Sequence, residues 1–214
     1  MTQAETKSET KPADDLIGTH RTGNLFVFTG PSGVGKGTIR EQLLLQVPGL
    51  LRSVSVTTRQ RRPGEQEGVS YFFRSREEFE EMRANNELME SAEFAGSYYG
   101  TPKAWVEQQL RAGLDVLLEI EVQGAKQIRQ RFPSAVLIFV SPPSFEALRQ
   151  RLVGRNTETS EKIALRLTKA QQELREKYLF HYEVVNDNIE EAVMNLTHIV
   201  YAERCRIDTN SESK

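Results

Sequence analysis

The chain carries a single cysteine, Cys205, close to its C-terminus. An intramolecular disulfide is therefore excluded, as is a metal site built on clustered cysteines, and the pattern fits a reducing compartment. Histidine is nearly as scarce. His20, His181 and His198 stand apart from every glycine-rich or carboxylate-bearing motif, so each reads as a surface or core residue rather than as a general base. No apolar run approaches the ~18 residues that a spanning helix needs, and the polar, acidic start lacks the apolar stretch of a secretory signal. Neither sign of charge dominates: 28 basic residues face 30 acidic ones, for a net charge of -2. That balance gives no general electrostatic grip on nucleic acid or on a membrane surface, so any basic function must be local. These absences predict a cytoplasmic protein without nucleic-acid or membrane partners.

Large apolar side chains are also sparse at both ends. Residues 1–23 are rich in Thr, Glu, Lys and Asp and cannot offset their ordering entropy by burial, which predicts a disordered leader, and 208–214 read the same way as a tail. The stretch between them, 24–207, is long enough for one α/β domain with a full core. Within it the apolar runs Leu25–Phe28, Val54–Val56, Val116–Leu118 and Val136–Val140 read as strands buried on both faces of a parallel sheet, alternating with helix-like stretches. Helix starts are marked by the capping-box spacing of Ser75 and Glu78 and by Thr101-Pro102, with proline at a first helical position. Gly113 marks a helix end. Two segments fit this core poorly, Thr57 to about Gly100 and the polar connection Gly154 to Ser160. Both read as flaps over a site.

What the chain does contain, between a strand-like Leu25–Phe28 and a helix-like Ile39–Leu45, is the turn Gly30, Pro31, Ser32, Gly33, Val34, Gly35, Lys36, Gly37, Thr38. It follows the pattern G-x-x-x-x-G-K-[ST] through Lys36, then has Gly37 at the Ser/Thr position and Thr38 one place later. Backbone N–H groups of such a turn, together with the lysine, cradle nucleotide phosphates, and the required strand before and helix after are both present. The turn predicts ATP binding.

The first flap opens with Arg59, Arg61 and Arg62 before Glu65 balances them. A charge run is ordinarily a solvated surface. Beside a phosphate loop it gains a second meaning, because a kinase needs another phosphate grip for its acceptor and planar guanidinium forks suit that task. Further on, Glu90 and the pair Tyr98-Tyr99 precede Gly100 and Thr101; by residue type alone these read as strand, turn and core tyrosines.

Taken in order, the phosphate loop, Ser55-Val-Thr-Thr-Arg59, Arg62-Pro-Gly-Glu65, Gly68 to Tyr71, Glu90, Ala95 to Gly100, Glu119-Ile-Glu121 with Gly124, Pro142-Pro-Ser144, Arg151 to Arg155, Thr157 to Thr159 and Val185-Asn-Asp187 resemble the guanylate kinases from about Leu25 to Arg206. The resemblance implies a phosphate-loop (P-loop) kinase core, α/β with a parallel sheet flanked by helices, plus a GMP-binding flap and a lid. Its divisions would be core 24–56 and 101–150, flap 57–100, lid 151–167 and core 168–207. It further implies transfer of the γ-phosphoryl group of ATP to GMP, in purine nucleotide metabolism and GMP recycling. Mg²⁺ would accompany ATP, GMP or dGMP would be the acceptor, and the protein would be a monomer or homodimer.

Carried over by position, the resemblance places Ser55, Glu90, Thr101 and Glu121 around the guanine and Arg59, Arg62, Tyr71 and Tyr99 on the acceptor phosphate. Residues 30–38 and Asn186 would bind ATP. Lys36, Arg59, Arg151, Arg155 and Arg166 would act on the transferring group, while Thr38 and Glu119 would stand near the metal, directly or through water. The base assignment is chemically sensible, since guanine offers N1–H and 2-amino donors on one edge and a carboxylate accepts from both. A pocket built on that pairing could reject AMP by ~10⁴-fold, because adenine would leave a buried carboxylate unpaired.

The chain departs from the family pattern at Gly37-Thr38, where many members have Ser-Thr, and at Glu119-Ile-Glu121, where many have Asp-x-Asp. Each departure bears on metal and guanine geometry. Two other readings remain: a guanylate-kinase-like module that binds phosphopeptides, and a phosphate-loop kinase for another phosphorylated small molecule such as a ribose bisphosphate. An intact Gly30, Gly35 and Lys36 argue against the first, and Glu90 with Ser55 against the second.

Overall fold

The computed structural model describes residues 21–94, 96–154 and 160–207. At its centre lies a five-stranded parallel sheet in the order β2-β7-β1-β8-β9, formed by Leu25–Thr29 (β1), Leu50–Arg52 (β2), Asp115–Glu119 (β7), Val136–Ser141 (β8) and Tyr182–Val185 (β9). Strand periodicity divides β1 between two cores. Phe26 and Phe28 face one side, where Ile39 and Leu43 of α1 (Lys36–Gln46) and Val193, Leu196 and Val200 of α7 (Ile189–Arg204) cover them. Leu25 and Val27 face the other, against Val106 of α3 (Lys103–Arg111) and Ala125 and Ile128 of α4 (Val122–Arg131). Both faces being buried is why these strands are continuously apolar. Truncating the wholly buried Phe26 to Ala would cost about 3–5 kcal/mol.

The second sheet has the order β4-β3-β6-β5, from Val56–Thr57 (β3), Phe72–Phe73 (β4), Leu88–Phe94 (β5) and Ser97–Pro102 (β6). Its small core, Val56, Phe79 and Leu88, is closed by α2 (Arg76–Ala84). Helix α2 starts in the expected capping box: the Ser75 hydroxyl accepts from Glu78 N–H, and the Glu78 carboxylate accepts from Ser75 N–H at 2.7 Å.

Two local expectations need correction. The core strand expected at Val54–Val56 lies at Leu50–Arg52, because the chain leaves the parallel sheet after Arg52 and Val56 already pairs with Gly100 in the second sheet. β-Branched residues favour either sheet and cannot say which. Pro102 is the N-cap of α3 rather than its first residue, and Gly113 does follow the helix end with a left-handed φ of +80°.

The remaining elements are α5 (Phe145–Val153) and α6 (Ser160–Arg175), packed together through Leu148, Leu152, Ile163, Leu167 and Ala170, and a short 3₁₀ turn at Lys177–Leu179. At the amino end of β7 the buried Asp115 gathers its donors. Asn24 N–H and Arg204 Nε each lie 2.7 Å from its oxygens, and Arg21 pairs with Oδ1 as well. Of the expected leader, 1–23, residues 1–20 lie outside the described residues, as does the tail from 208; Arg21 to Gly23 belong instead to the fold, Arg21 on Asp115 and the Gly23 N–H donating to the Leu110 carbonyl at 2.8 Å.

Candidate active site

The phosphate loop, Glu119 and Glu121 lie at the carboxyl ends of the parallel strands, where open α/β sheets place their ligand crevices. After β1 the phosphate loop turns into α1. Gly35 caps the helix at φ +98°, and a Cβ there would meet Asn186 Nδ2 at 2.6 Å, so a side chain is excluded by strain and by contact alike. The first turn of α1 holds no acidic residue, which leaves its N–H groups and positive dipole end to an external anion. Lys36 Nζ bends back onto the carbonyl oxygens of Gly30 and Pro31, at 2.5 and 3.2 Å. Burial pushes its pKa down, while the charges of Glu121, Glu119 and Glu173 pull it back up.

The lid-side residues reach the same loop. Arg166 of α6 donates to Ser32 Oγ at 3.0 Å. Arg151 of α5 donates to the Asn186 carbonyl at 3.0 Å, and Asn186 Nδ2 donates to Val34 O at 2.6 Å. Gly33, Val34, Gly35, Arg151, Gly154 and Asn186 line a cleft of about 450 Å³ beside the loop. Arg155 lies outside the described residues.

Across the crevice, Glu90 of β5 is only 3 % exposed. Its Oε1 accepts from Thr101 Oγ1 at 2.8 Å, and a Cβ on Gly124 of α4 would sit 2.4 Å from its Oε2. The glycine makes room for the carboxylate. Burial pushes the Glu90 pKa up to about 7, against the lowering effect of its bonds from Thr101 and of the Arg131 charge. Ser55 sits half-buried in the crossing between the two sheets, and its carbonyl accepts from Phe72 N–H.

The expected acceptor-phosphate residues are brought together in part. Arg59 Nη2 donates to Glu65 Oε1 at 2.6 Å, its guanidinium stands 5.4 Å from the Tyr71 ring centre, and hydrogen bonds to Glu65 and Tyr99 push its pKa up. Tyr71 and Tyr99 meet edge to face at 6.0 Å. The tyrosine pair divides its labour by strand alternation: Tyr98 stacks on the core ring of Phe79, while Tyr99 faces the arginine. Arg62 has an exposed side chain; the bond it makes here comes from its backbone N–H, to Glu65 Oε2 at 2.8 Å.

Glu119 ends β7 and pairs with Arg40 of α1. Glu121, at the start of α4, accepts from Lys169 of α6 at 2.7 Å. Thr38 is exposed on the first turn of α1. Among the described residues no group of three His, Cys, Asp or Glu side chains is placed to hold a metal ion by itself. Sequence reasoning missed Arg40, Lys169 and Glu173, and singled out Gly124 without giving it a role. Glu173 is buried, and that burial, together with the nearby Glu121, pushes its pKa up to about 7. The legible signal was the spacing of Arg166, Lys169 and Glu173, which puts all three on one helix face.

A glycine-rich loop between a central parallel strand and a helix, faced by a small sheet that presents an arginine–tyrosine cluster and a buried carboxylate, defines a phosphate-loop kinase of the nucleoside monophosphate class. Residues 22–203 match the family model described as Guanylate kinase. The chain is 54 % identical to the guanylate kinase of Desulfitobacterium hafniense (strain Y51), over 86 % of this chain and 92 % of that protein. It is 50 % identical to that of Lactococcus lactis subsp. lactis (strain IL1403), covering 87 % and 91 %. A crystal structure of guanylate kinase from Anaplasma phagocytophilum superposes with a TM-score of 0.73 at 35 % identity, covering 87 % of this chain and 89 % of that one. The chain belongs to the guanylate kinase family.

Proposed function

We propose that the protein transfers the γ-phosphoryl group of Mg-ATP to GMP, giving ADP and GDP. The observation that carries this reading is Glu90: a carboxylate buried with no ion pair among the described residues, held by a neutral hydroxyl, and given room by a glycine. Such a group is costly to bury unless a ligand supplies donors, and the guanine N1–H and 2-amino pair supplies two. Thr101 fixes its direction, and Ser55 and Glu121 would complete the guanine pocket. Adenine would leave the carboxylate unpaired, which favours GMP over AMP by a large factor.

Arg59, Tyr71 and Tyr99, with Arg62 swinging in from solvent, hold the acceptor phosphate. That phosphate has its second pKa near 6, so at neutral pH it is mainly a dianion and needs no general base. ATP lies with its phosphates on residues 30–38 and its adenine towards Asn186. Lys36 then leaves the Gly30 and Pro31 carbonyls for the phosphate oxygens, while Arg151, Arg155 and Arg166 approach the transferring group from the lid. Catalysis is positioning plus charge neutralisation.

The hydroxyl of Thr38 and the carboxylate of Glu119 are hard oxygen donors near the loop, and two such ligands completed by substrate phosphates suit Mg²⁺. When bound, the ion supplies neutralisation of phosphate charge. Gly37 brings no hydroxyl, so Thr38 is the residue that stands in for one. We place the enzyme in the cytoplasm, acting on free nucleotides.

The test is ADP formation from Mg-ATP with GMP, dGMP, AMP, CMP, UMP or no acceptor. Rapid turnover confined to the guanine nucleotides is expected. Equal turnover of AMP, or nucleotide binding without turnover of any acceptor, would refute the assignment.

A further inference from the structure

Helix α6 touches both halves of the crevice with one face. Arg166 donates to Ser32 of the phosphate loop. One turn on, Lys169 Nζ lies 2.7 Å from Glu121 Oε2, 3.6 Å from Glu173 Oε1 and 4.0 Å from the ring centre of Phe94 on β5. Lys169 is thus the point where the lid helix, the strand-end carboxylate and the acceptor-side sheet meet.

Glu121 needs such a partner. It occupies the N-cap position of α4, yet its side chain makes no capping hydrogen bond to that helix. A glutamate reaches one methylene further than an aspartate and has one more torsion to fix, so an unheld Glu121 would sample many orientations. Lys169 ends that freedom, and Lys169 is itself held from two other directions, by the Phe94 ring and by Glu173. The pair is not a fold-stabilising device. With Lys169 41 % and Glu121 38 % exposed, screening leaves such an ion pair with little effect on folding.

We infer that Lys169 is a positioning residue for the acceptor base, aiming the Glu121 carboxylate at the guanine and tying the acceptor pocket to the lid helix that carries Arg166. The inference rests on the reading that Glu121 lines the guanine pocket. It assigns Lys169 no contact with the transferring group. The same lysine also explains why Glu can serve where many relatives are expected to carry the shorter Asp, since the added reach is taken up by a fixed cation.

The experiment compares wild type, Lys169→Met, Lys169→Arg, Glu121→Ala and the Lys169→Met/Glu121→Ala double variant by steady-state kinetics and thermal melting. For Lys169→Met we expect KM for GMP to rise about tenfold. KM for ATP should stay within about twofold and Tm within about 3 °C. Lys169→Arg should recover most of the loss, and in the Glu121→Ala background Lys169→Met should add almost nothing. An unchanged KM for GMP in Lys169→Met, with the expected rise in Glu121→Ala, would overturn the positioning role and leave the pocket reading standing. Additive effects in the double variant would overturn it too. An unchanged KM for GMP in Glu121→Ala would overturn both. Should Lys169→Met fail to fold, Lys169→Gln, which keeps a neutral donor, carries the same comparison.

Discussion

In the acceptor-base pocket, Glu90 is held by Thr101 across the β5–β6 hairpin and pressed against Gly124, with almost no access to water. Among the phosphate-gripping groups the cations rest on oxygens of the protein's own chain: Lys36 on Gly30 and Pro31, Arg59 on Glu65, Arg151 on Asn186. The first arrangement is rigid and desolvated before any ligand arrives, so it can reject a wrong base by leaving a buried group unpaired. The second consists of placeholders. On the proposed roles, each carbonyl or carboxylate would give way to a phosphate oxygen, which would keep the cations folded inward and pre-aimed. On the proposed assignment, selectivity is stored in a buried site and catalysis in an exchangeable one.

The comparison breaks most severely at Lys36. Lys36→Ala should lower kcat by about 10³-fold with little effect on GMP affinity, measured by single-turnover kinetics beside equilibrium GMP titration. A matching loss of GMP affinity would show that the two sites are not separate.

Glu90→Gln should come next, with kcat/KM for GMP down about 10²-fold and the GMP-to-AMP preference narrowed, read from paired kinetics. This position also carries a pH signature. Its carboxyl is raised from an ordinary 4.5 to about 7 in the fold, so the folded state binds the proton more tightly than the unfolded chain. The resulting stabilisation is fully present below about 4.5 and is lost as pH rises through about 7. GMP binding, which uses the ionised form, should strengthen over the same rise. Glu173 is raised to about 7 as well, so melting curves from pH 5 to 8 should lose only part of this slope in Glu90→Gln. An identical slope in the variant would contradict a buried, proton-holding Glu90.

Gly124→Ala should raise KM for GMP about tenfold while sparing KM for ATP, because its methyl would displace the Glu90 carboxylate. Smallest is Glu65→Gln. Freeing Arg59 from its placeholder should change KM for GMP by about two- to threefold, downward if Glu65 mainly competes with phosphate. An upward shift would make Glu65 an aligner of the clamp instead.

Much of this was legible in the linear chain because it is local. The phosphate loop, the capping box at Ser75 and the runs of β1, β7 and β8 are each fixed within about ten residues. The fold misled the reading where the choice was tertiary: Val54–Val56 has strand chemistry, but the chain uses Leu50–Arg52 in the parallel sheet and saves Val56 for the second. At the site, Glu90 with Thr101 was legible through the family resemblance. Arg40 was not, and the shared helix face of Arg166, Lys169 and Glu173 could be read but not its role, since a charge on a helix looks solvated until the opposite strand end is known.

Asp115 has a consequence for how the enzyme can be joined to other molecules. Arg21 and Arg204 both fasten to it at the amino end of β7, whereas the crevice opens at the carboxyl ends of the same sheet. The described fold therefore has two poles, with Arg21 and Arg204 fastened at one and the proposed nucleotide crevice at the other. A linkage joined directly to Arg21 or to the exposed Ile207 would leave from the pole remote from that crevice, so an enzyme held there should give its substrates a clear approach.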